Sequence, residues 1–265
     1  MATNYRALHF GWKHRLVAVV SQRVNFTYTI RHGLAAGMRR RGGLGFVPWG
    51  PAETAETRFL RALNVDGKVV YDIGAFEGLL TMFFSRRARY VIAWEPNPES
   101  RRRLLTNLRL NGLSNVLVRD VGLADAPGDA TLVYDPLMPG AASGAGAVAS
   151  QIRDSAPALA EVGMRVATLD DEVRTQALPP PDFMKIDVEG MELPVVLGAR
   201  RTIGAHRPQI YIELHGAEQE DKRRNAREVV ALLWSWGYCD LTHVETGEAL
   251  TPETTDRPGH LFARG

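Results

Sequence analysis

The stretch Val69-Val70-Tyr71-Asp72-Ile73-Gly74-Ala75-Phe76-Glu77-Gly78 constrains the fold more than any other part of the chain. An apolar run ends in an acid, and a glycine turn follows. A helix-like segment then leads to a second apolar run, Tyr90 to Trp94, which ends in Glu95. The turn glycines let a ligand approach the backbone closely. A carboxylate beyond the next strand suits the ribose hydroxyls of a nucleoside-type cofactor. The spacing D-x-G-x-x-x-G differs from the dinucleotide G-x-G-x-x-G. It lacks the phosphate-cradling glycine pair, and its leading acid would repel a pyrophosphate. A positively charged cofactor without phosphate fits better, and S-adenosylmethionine is the candidate.

Around this motif, strands and helices alternate. The pattern predicts strands at Lys68–Ile73, Tyr90–Trp94, Asn115–Arg119, Phe183–Asp187 and Ile210–Leu214. It predicts helices at Glu53–Leu63, Leu79–Arg87, Glu99–Leu110, Leu193–Ile203 and Arg223–Trp236. Tyr238–Thr242 and His260–Ala263 read as closing antiparallel strands. The expected fold is α/β: a mostly parallel, Rossmann-like sheet of about seven strands with helices on both faces. The alternation breaks between Ala124 and Val166. Ala130–Tyr134 and Met164–Ala167 look like strands. The Gly/Ala/Ser-rich stretch between them, about 135–163, reads as a flexible insertion, with a lid on the substrate side as its functional reading.

Charge divides the chain. No Asp or Glu precedes Glu53, yet that segment carries Arg6, Lys13, Arg15, Arg23, Arg31, Arg39, Arg40 and Arg41. Residues 1–52 therefore read as a basic, helical N-terminal extension, and 53–265 as the domain. A basic arm on an acidic body suggests an anionic partner, or a solvated extension packed on that body. The single cysteine, Cys239, excludes an internal disulfide and a cysteine-based zinc site. No apolar run reaches the ~18 residues of a membrane span. The run Leu16–Val20 is too short for a signal-peptide core. A cytoplasmic protein is the expectation.

The candidate residues gather at predicted strand ends. Asp72 would face a bound cation or accept from turn amides. Gly74, Ala75, Phe76, Glu77 and Gly78 form the turn. Glu95 would take both ribose hydroxyls, with Pro96 and Asn97 leading into the next helix. Asp120, with Val121 beside it, would receive the adenine amino group. Lys185, Asp187 and Glu189 stand at the mouth of the fourth strand, where they would face the reactive end of the cofactor. His215 ends the fifth strand and is the first choice as general base, with Glu189 and Asp187 next. Asp187 has the alternative role of positioning the cofactor. No metal site is expected, although Asp187, Glu189 and Glu213 form a set able to hold a hard cation. There is no P-loop, H-E-x-x-H or G-x-S-x-G.

Several motifs together resemble the FkbM-type methyltransferase family. They are E-T-R-F-L at Glu56–Leu60, Y-D-I-G-A-F-E-G at Tyr71–Gly78 and W-E-P-N-P at Trp94–Pro98. A-T-L-D-D at Ala167–Asp171, K-I-D-V-E-G-M-E at Lys185–Glu192 and I-Y-I-E-L-H at Ile210–His215 complete the set. Family members often carry Asn where this chain has Phe76. The resemblance implies a class I methyltransferase fold, S-adenosylmethionine, and O-methylation of a hydroxyl on a sugar, glycan or secondary metabolite. The partner would be a small-molecule or glycan acceptor, with an anionic one included. Nucleic-acid methylation through the basic arm, and a non-catalytic cofactor-binding protein, are the competing functions. The oligomeric state stays open, a homodimer among the options.

Overall fold

The computed structural model describes residues 26–42, 53–136, 138–144, 146–156 and 159–265. Strands β1 (Phe26–Thr29) and β2 (Arg39–Gly42) pair as an antiparallel hairpin. The expected helical extension is corrected here: its described part alternates inward and outward with period two, the pattern of strands. Its remainder, 1–25 and 43–52, lies outside the described residues. Helix α1 (Ala55–Ala62) starts at Thr54, whose hydroxyl accepts from the Thr57 amide.

Strand β3 (Val69–Ile73) is buried at every position, as a strand covered on both faces must be. Helix α2 (Leu79–Ser85) and strand β4 (Tyr90–Trp94) follow. Helix α3 (Pro98–Leu110) carries its own start signals. Asn97 caps the amides of Glu99 and Ser100, and Pro98 holds the first helical position. Strand β5 (Val116–Arg119) completes this half of the sheet.

The strands expected at Ala130–Tyr134 and Met164–Ala167 form, and the stretch between them, expected to be flexible, carries a further strand and a helix. Strands β6 (Gly122–Leu123), β7 (Gly128–Asp135) and β8 (Met138–Ser143) are followed by helix α4 (Gly146–Ser155) and strand β9 (Ala160–Ala167). The four strands form a second sheet in the order β6-β9-β7-β8. The backbone ladder of β7 against β9 supplies the hydrogen bonds that the small side chains of this region cannot. Val148, Ala149 and Ile152 of α4 bury a small core against Val133.

Helix α5 (Leu169–Thr175) and strand β10 (Phe183–Ile186) resume the alternation. The helix expected at Leu193–Ile203 is two, α6 (Glu192–Gly198) and α7 (Arg200–His206). The chain bends at Ala199, just after Gly198 passes so near the Ala124 carbonyl that a Cβ would lie 2.0 Å from its oxygen. Strand β11 (Gln209–Leu214), helix α8 (Gln219–Ser235) and strands β12 (Asp240–His243) and β13 (Gly259–Arg264) end the chain. Among the described residues the main sheet has seven strands in the order β12-β13-β11-β10-β3-β4-β5. Only β13 runs against the rest. The order reverses between β3 and β10, where an open α/β sheet leaves a ligand crevice beyond its strand ends.

Glu77, expected at the cofactor, instead ties the hairpin to this sheet. Its fully buried carboxylate pairs with Arg40 of β2 and, at 2.7 Å, with Arg103 of α3. The Asn107 amide donates to the Glu77 carbonyl and accepts from the Arg41 backbone. Removing one partner of a buried ion pair strands the other charge. Arg40→Met is expected to cost about 3–5 kcal/mol in urea denaturation. A loss below about 1 kcal/mol would mean the hairpin contributes nothing to the fold.

Candidate functional site

Beyond the ends of β3, β4, β10 and β11 lies a cavity of about 410 Å³. Its geometry starts at Gly74. The residue has φ +79°, and a Cβ there would stand 1.8 Å from the Asp187 carbonyl oxygen. Glycine is therefore required both by the backbone angle and by the close passage of β3 against the end of β10. The amides of Gly74 and Ala75 both donate to the Trp94 carbonyl, which closes the turn over β4. Phe76 follows at φ 51°, a left-handed conformation that costs a bulky residue energy and clusters at functional sites.

Glu95 faces this turn. One carboxylate oxygen accepts from the Phe76 amide at 2.7 Å and the other from the Asn97 amide at 2.8 Å. Burial pushes its pKa up to about 7, against the pull of those two amides and of Lys185 and Arg101. Gly74, Phe76, Trp94, Glu95, Pro96 and Ser100 line this side of the cavity, with Val121 above them. The hydroxyl of Ser100 is buried and has no hydrogen-bond partner among the described residues. The second sheet closes another wall through Leu132, Ala142, Met164 and Val166.

The opposite end is charged. The Lys185 ammonium, almost wholly buried, lies 3.3 Å from both Asp72 and Asp187 and donates to the Gly74 carbonyl at 2.7 Å. Burial works against its charge, but Asp187 and Asp72 outweigh it and hold the ammonium above the usual lysine range. Burial also raises Asp187, with Lys185 opposing. His215 Nδ1 donates to the fully buried Glu192 at 3.0 Å. Its Nε2 stands 3.2 Å from Glu213 and 3.9 Å from both Asp187 and Glu189. Burial disfavours the imidazolium, yet Glu192, Glu213 and Glu189 together raise His215 well above its ordinary pKa. The ring expected as general base thus has its Nδ1 committed to Glu192, and its Nε2 is the nitrogen turned toward the cavity carboxylates.

Gly74, Phe76, Glu95, Pro96, Val121, Asp187, Glu189 and His215 thus reach the cavity as the sequence predicts. Others do not. Asp72 spends itself on Lys185 and on the Thr81 hydroxyl, which donates at 2.6 Å. The cation it faces belongs to the chain. Ala75 is buried in the turn, Gly78 caps α2, and Asn97 caps α3. Asp120 is exposed on the surface 3.8 Å from Arg165 and offers no contact to the cavity. Lys185 lies behind the lining. Glu192, to which the sequence assigned no role, is the ring's anchor. Its place in K-I-D-V-E-G-M-E was visible, but its pairing with His215 depends on how α6 meets β11.

A family model described as the methyltransferase FkbM domain matches residues 72–239. The hexuronic acid methyltransferase AglP of Haloferax volcanii is 30% identical over 157 residues, spanning 58% of this chain and 59% of that protein. The crystal structure of a methyltransferase FkbM from Methylobacillus flagellatus KT superposes with a TM-score of 0.51 at 19% identity, covering 80% of this chain and 48% of that one. The chain thus spans about half to three fifths of the length of these two proteins. That superposition and the strand order above agree on the class I methyltransferase fold. With the family model matched across the very strands that build the cavity, the chain belongs to the FkbM methyltransferase domain family.

Proposed function

We propose that this chain transfers a methyl group from S-adenosylmethionine to a hydroxyl of a sugar or glycan acceptor. The observation that carries this reading is Glu95: a buried carboxylate just past the end of β4, next to β3, held from behind by two backbone amides and lining the cavity. The donor set fits the cofactor. Glu95 would accept from the ribose hydroxyls, Gly74 leaves room against the backbone, and the unpartnered Ser100 hydroxyl faces the same space. No described Lys or Arg lines the cavity, while Glu95, Asp129, Asp187, Glu189 and Glu213 do, which suits a cationic ligand. The cofactor, when bound, supplies a methyl group already activated on a sulfonium.

What remains for the chain is alignment and removal of the hydroxyl proton. Glu189 is the proposed base. It lines the cavity on a left-handed turn at φ 51° and stands 3.9 Å from His215 Nε2. Lys185 and Glu192 hold Asp187 and His215 in place. The hydroxyl-bearing acceptor class follows from the hexuronic acid methyltransferase relative.

Glu95 gives two linked expectations. Its folded pKa of about 7 lies above the unfolded 4.5, so the native state binds the extra proton between these values. Stability contributed by this group is complete below pH ~4.5 and is lost as pH rises through ~7, on the order of 3 kcal/mol in all. Wild type compared with Glu95→Gln in urea at pH 5 and pH 8 should show that loss in the wild type alone. Cofactor binding has the opposite slope, because ribose hydroxyls donate to the ionised form. The affinity for S-adenosylhomocysteine, by calorimetry, should rise about tenfold from pH 6 to pH 8. NAD should not bind. Equal slopes in wild type and variant would remove Glu95 from the site.

Transfer itself is tested with methyl-labelled S-adenosylmethionine and a panel of uronic-acid and neutral glycosides. Glu189→Gln is expected to lower kcat by ~10²–10⁴ while S-adenosylhomocysteine affinity holds. Absence of both cofactor binding and transfer would end the methyltransferase reading.

A further inference from the structure

We propose that Asp187, Glu213 and His215 form a binding site for one divalent cation at the charged end of the cavity. Adjacent parallel strands deliver the three side chains. Asp187 directly follows β10, and Glu213 and His215, two residues apart on β11 and its exit, share one side. One ligand atom from each lies within 4.8 Å of the others. His215 Nε2 is 3.2 Å from Glu213 Oε1 and 3.9 Å from Asp187 Oδ1. Around an ion with bonds of ~2.1 Å, octahedral neighbours stand about 3.0 Å apart and opposite ligands about 4.2 Å. The His215–Glu213 pair stands near the spacing of neighbouring ligands, and the His215–Asp187 pair falls between the two spacings.

The histidine is prepared for such a role from outside the trio. Glu192 can only accept, so His215 carries a proton on Nδ1 and turns Nε2 toward the two carboxylates. Glu192 is itself fully buried and fixed by the Asn225 amide at 2.7 Å and the Gly190 amide at 3.0 Å. A buried carboxylate behind an imidazole is the arrangement that orients metal-ligating histidines and raises their basicity. Burying that charge for packing alone would cost several kcal/mol per ion.

All three residues line the cavity, so the remaining coordination positions open toward an acceptor. The two carboxylates suit a hard divalent ion, and the imidazole nitrogen favours Mn²⁺ over Mg²⁺. There the ion would polarise the acceptor hydroxyl and lower its pKa, easing loss of its proton to Glu189. This role rests on the hydroxyl-methylation reading; the binding itself does not.

The probe is Mn²⁺ alone, titrated into the EDTA-stripped full chain and followed by electron paramagnetic resonance and calorimetry. One site per chain is expected. Asp187→Asn and His215→Gln should weaken it more than tenfold, and Glu192→Gln ~10–100-fold. Glu228→Gln, exposed on α8, should leave it unchanged. In the unaltered protein, Mn²⁺ should broaden the His215 ring resonances before those of His32 and His206, a readout independent of how any variant folds. No stoichiometric binding, uniform broadening, or equal affinity in wild type, Asp187→Asn and His215→Gln would overturn the site. Methyl transfer undiminished in EDTA would overturn the ion's role and leave the methyltransferase reading intact. Stoichiometric Mn²⁺ binding without any methyl transfer would support the site while that reading falls.

Discussion

The buried ammonium of Lys185 holds the site together. It sits on β10 directly opposite Asp72 of β3 in register, at the point where the sheet's order reverses. From there it reaches Asp72, Asp187 and the carbonyl of Gly74. Three charges taken out of water cost several kcal/mol each, and their attraction only offsets this if every partner is placed well. The register supplies the placement. Slipping β10 by one residue would turn Lys185, and with it Asp187 two residues on, to the opposite face and leave Asp72 buried without a cation. The same bonds fix how closely the Gly74 turn approaches the Asp187 backbone, and hence the width of the crevice.

Around this strap the chain accepts local costs that a purely structural sheet end would avoid. Phe76 and Glu189 both hold left-handed backbone conformations at φ 51°, and both line the cavity. Glu95 is buried deeply enough that its carboxylate is hard to keep ionised. Each is a violation of local preference, of a kind that concentrates where a ligand is to be met. The rest of the domain is consistent across levels: apolar strands, capped helices, and a core that runs from Val69 through Ile186 and Ile212 to Leu261.

This contrast explains what was legible. The parallel strands could be read because each is an apolar run ended by an acid or a turn signal, and α3 because Asn97-Pro98-Glu99 writes its start in sequence. The β1–β2 hairpin could not. Its strands are four residues each, β2 is R-R-R-G, and its docking depends on an Arg40–Glu77 pair separated by 37 residues. In the second sheet β7 and β9 were legible at Ala130–Tyr134 and Met164–Ala167, while β8 and α4 were hidden by the Gly, Ala and Ser content of the stretch between them. At the site, the strand-end carboxylates were visible one by one. Which of them reach the cavity was not, because Asp72, Glu77 and Asp120 differ from Glu95 and Asp187 only in tertiary partners.

His215 shows most plainly how far a motif can carry. Its position at a strand end suggested a general base, but its affinity for a proton is decided by neighbours on other elements. Glu213 stands between two histidines: His215 at 3.2 Å and, across the antiparallel pair β11–β13, His260 at 3.4 Å. Burial alone would raise Glu213, and the two rings reverse that and keep it ionised. His260 is in turn pushed up to about 10, with burial opposing and Glu213 and Glu245 prevailing. Tyr211 stacks on its ring and holds it in place. The charge at this end of the cavity therefore depends on β13, a strand with no motif of its own. Its pairing register with β11, Glu213 against His260, sets whether the carboxylate beside His215 is ionised and so able to meet a proton or a cation.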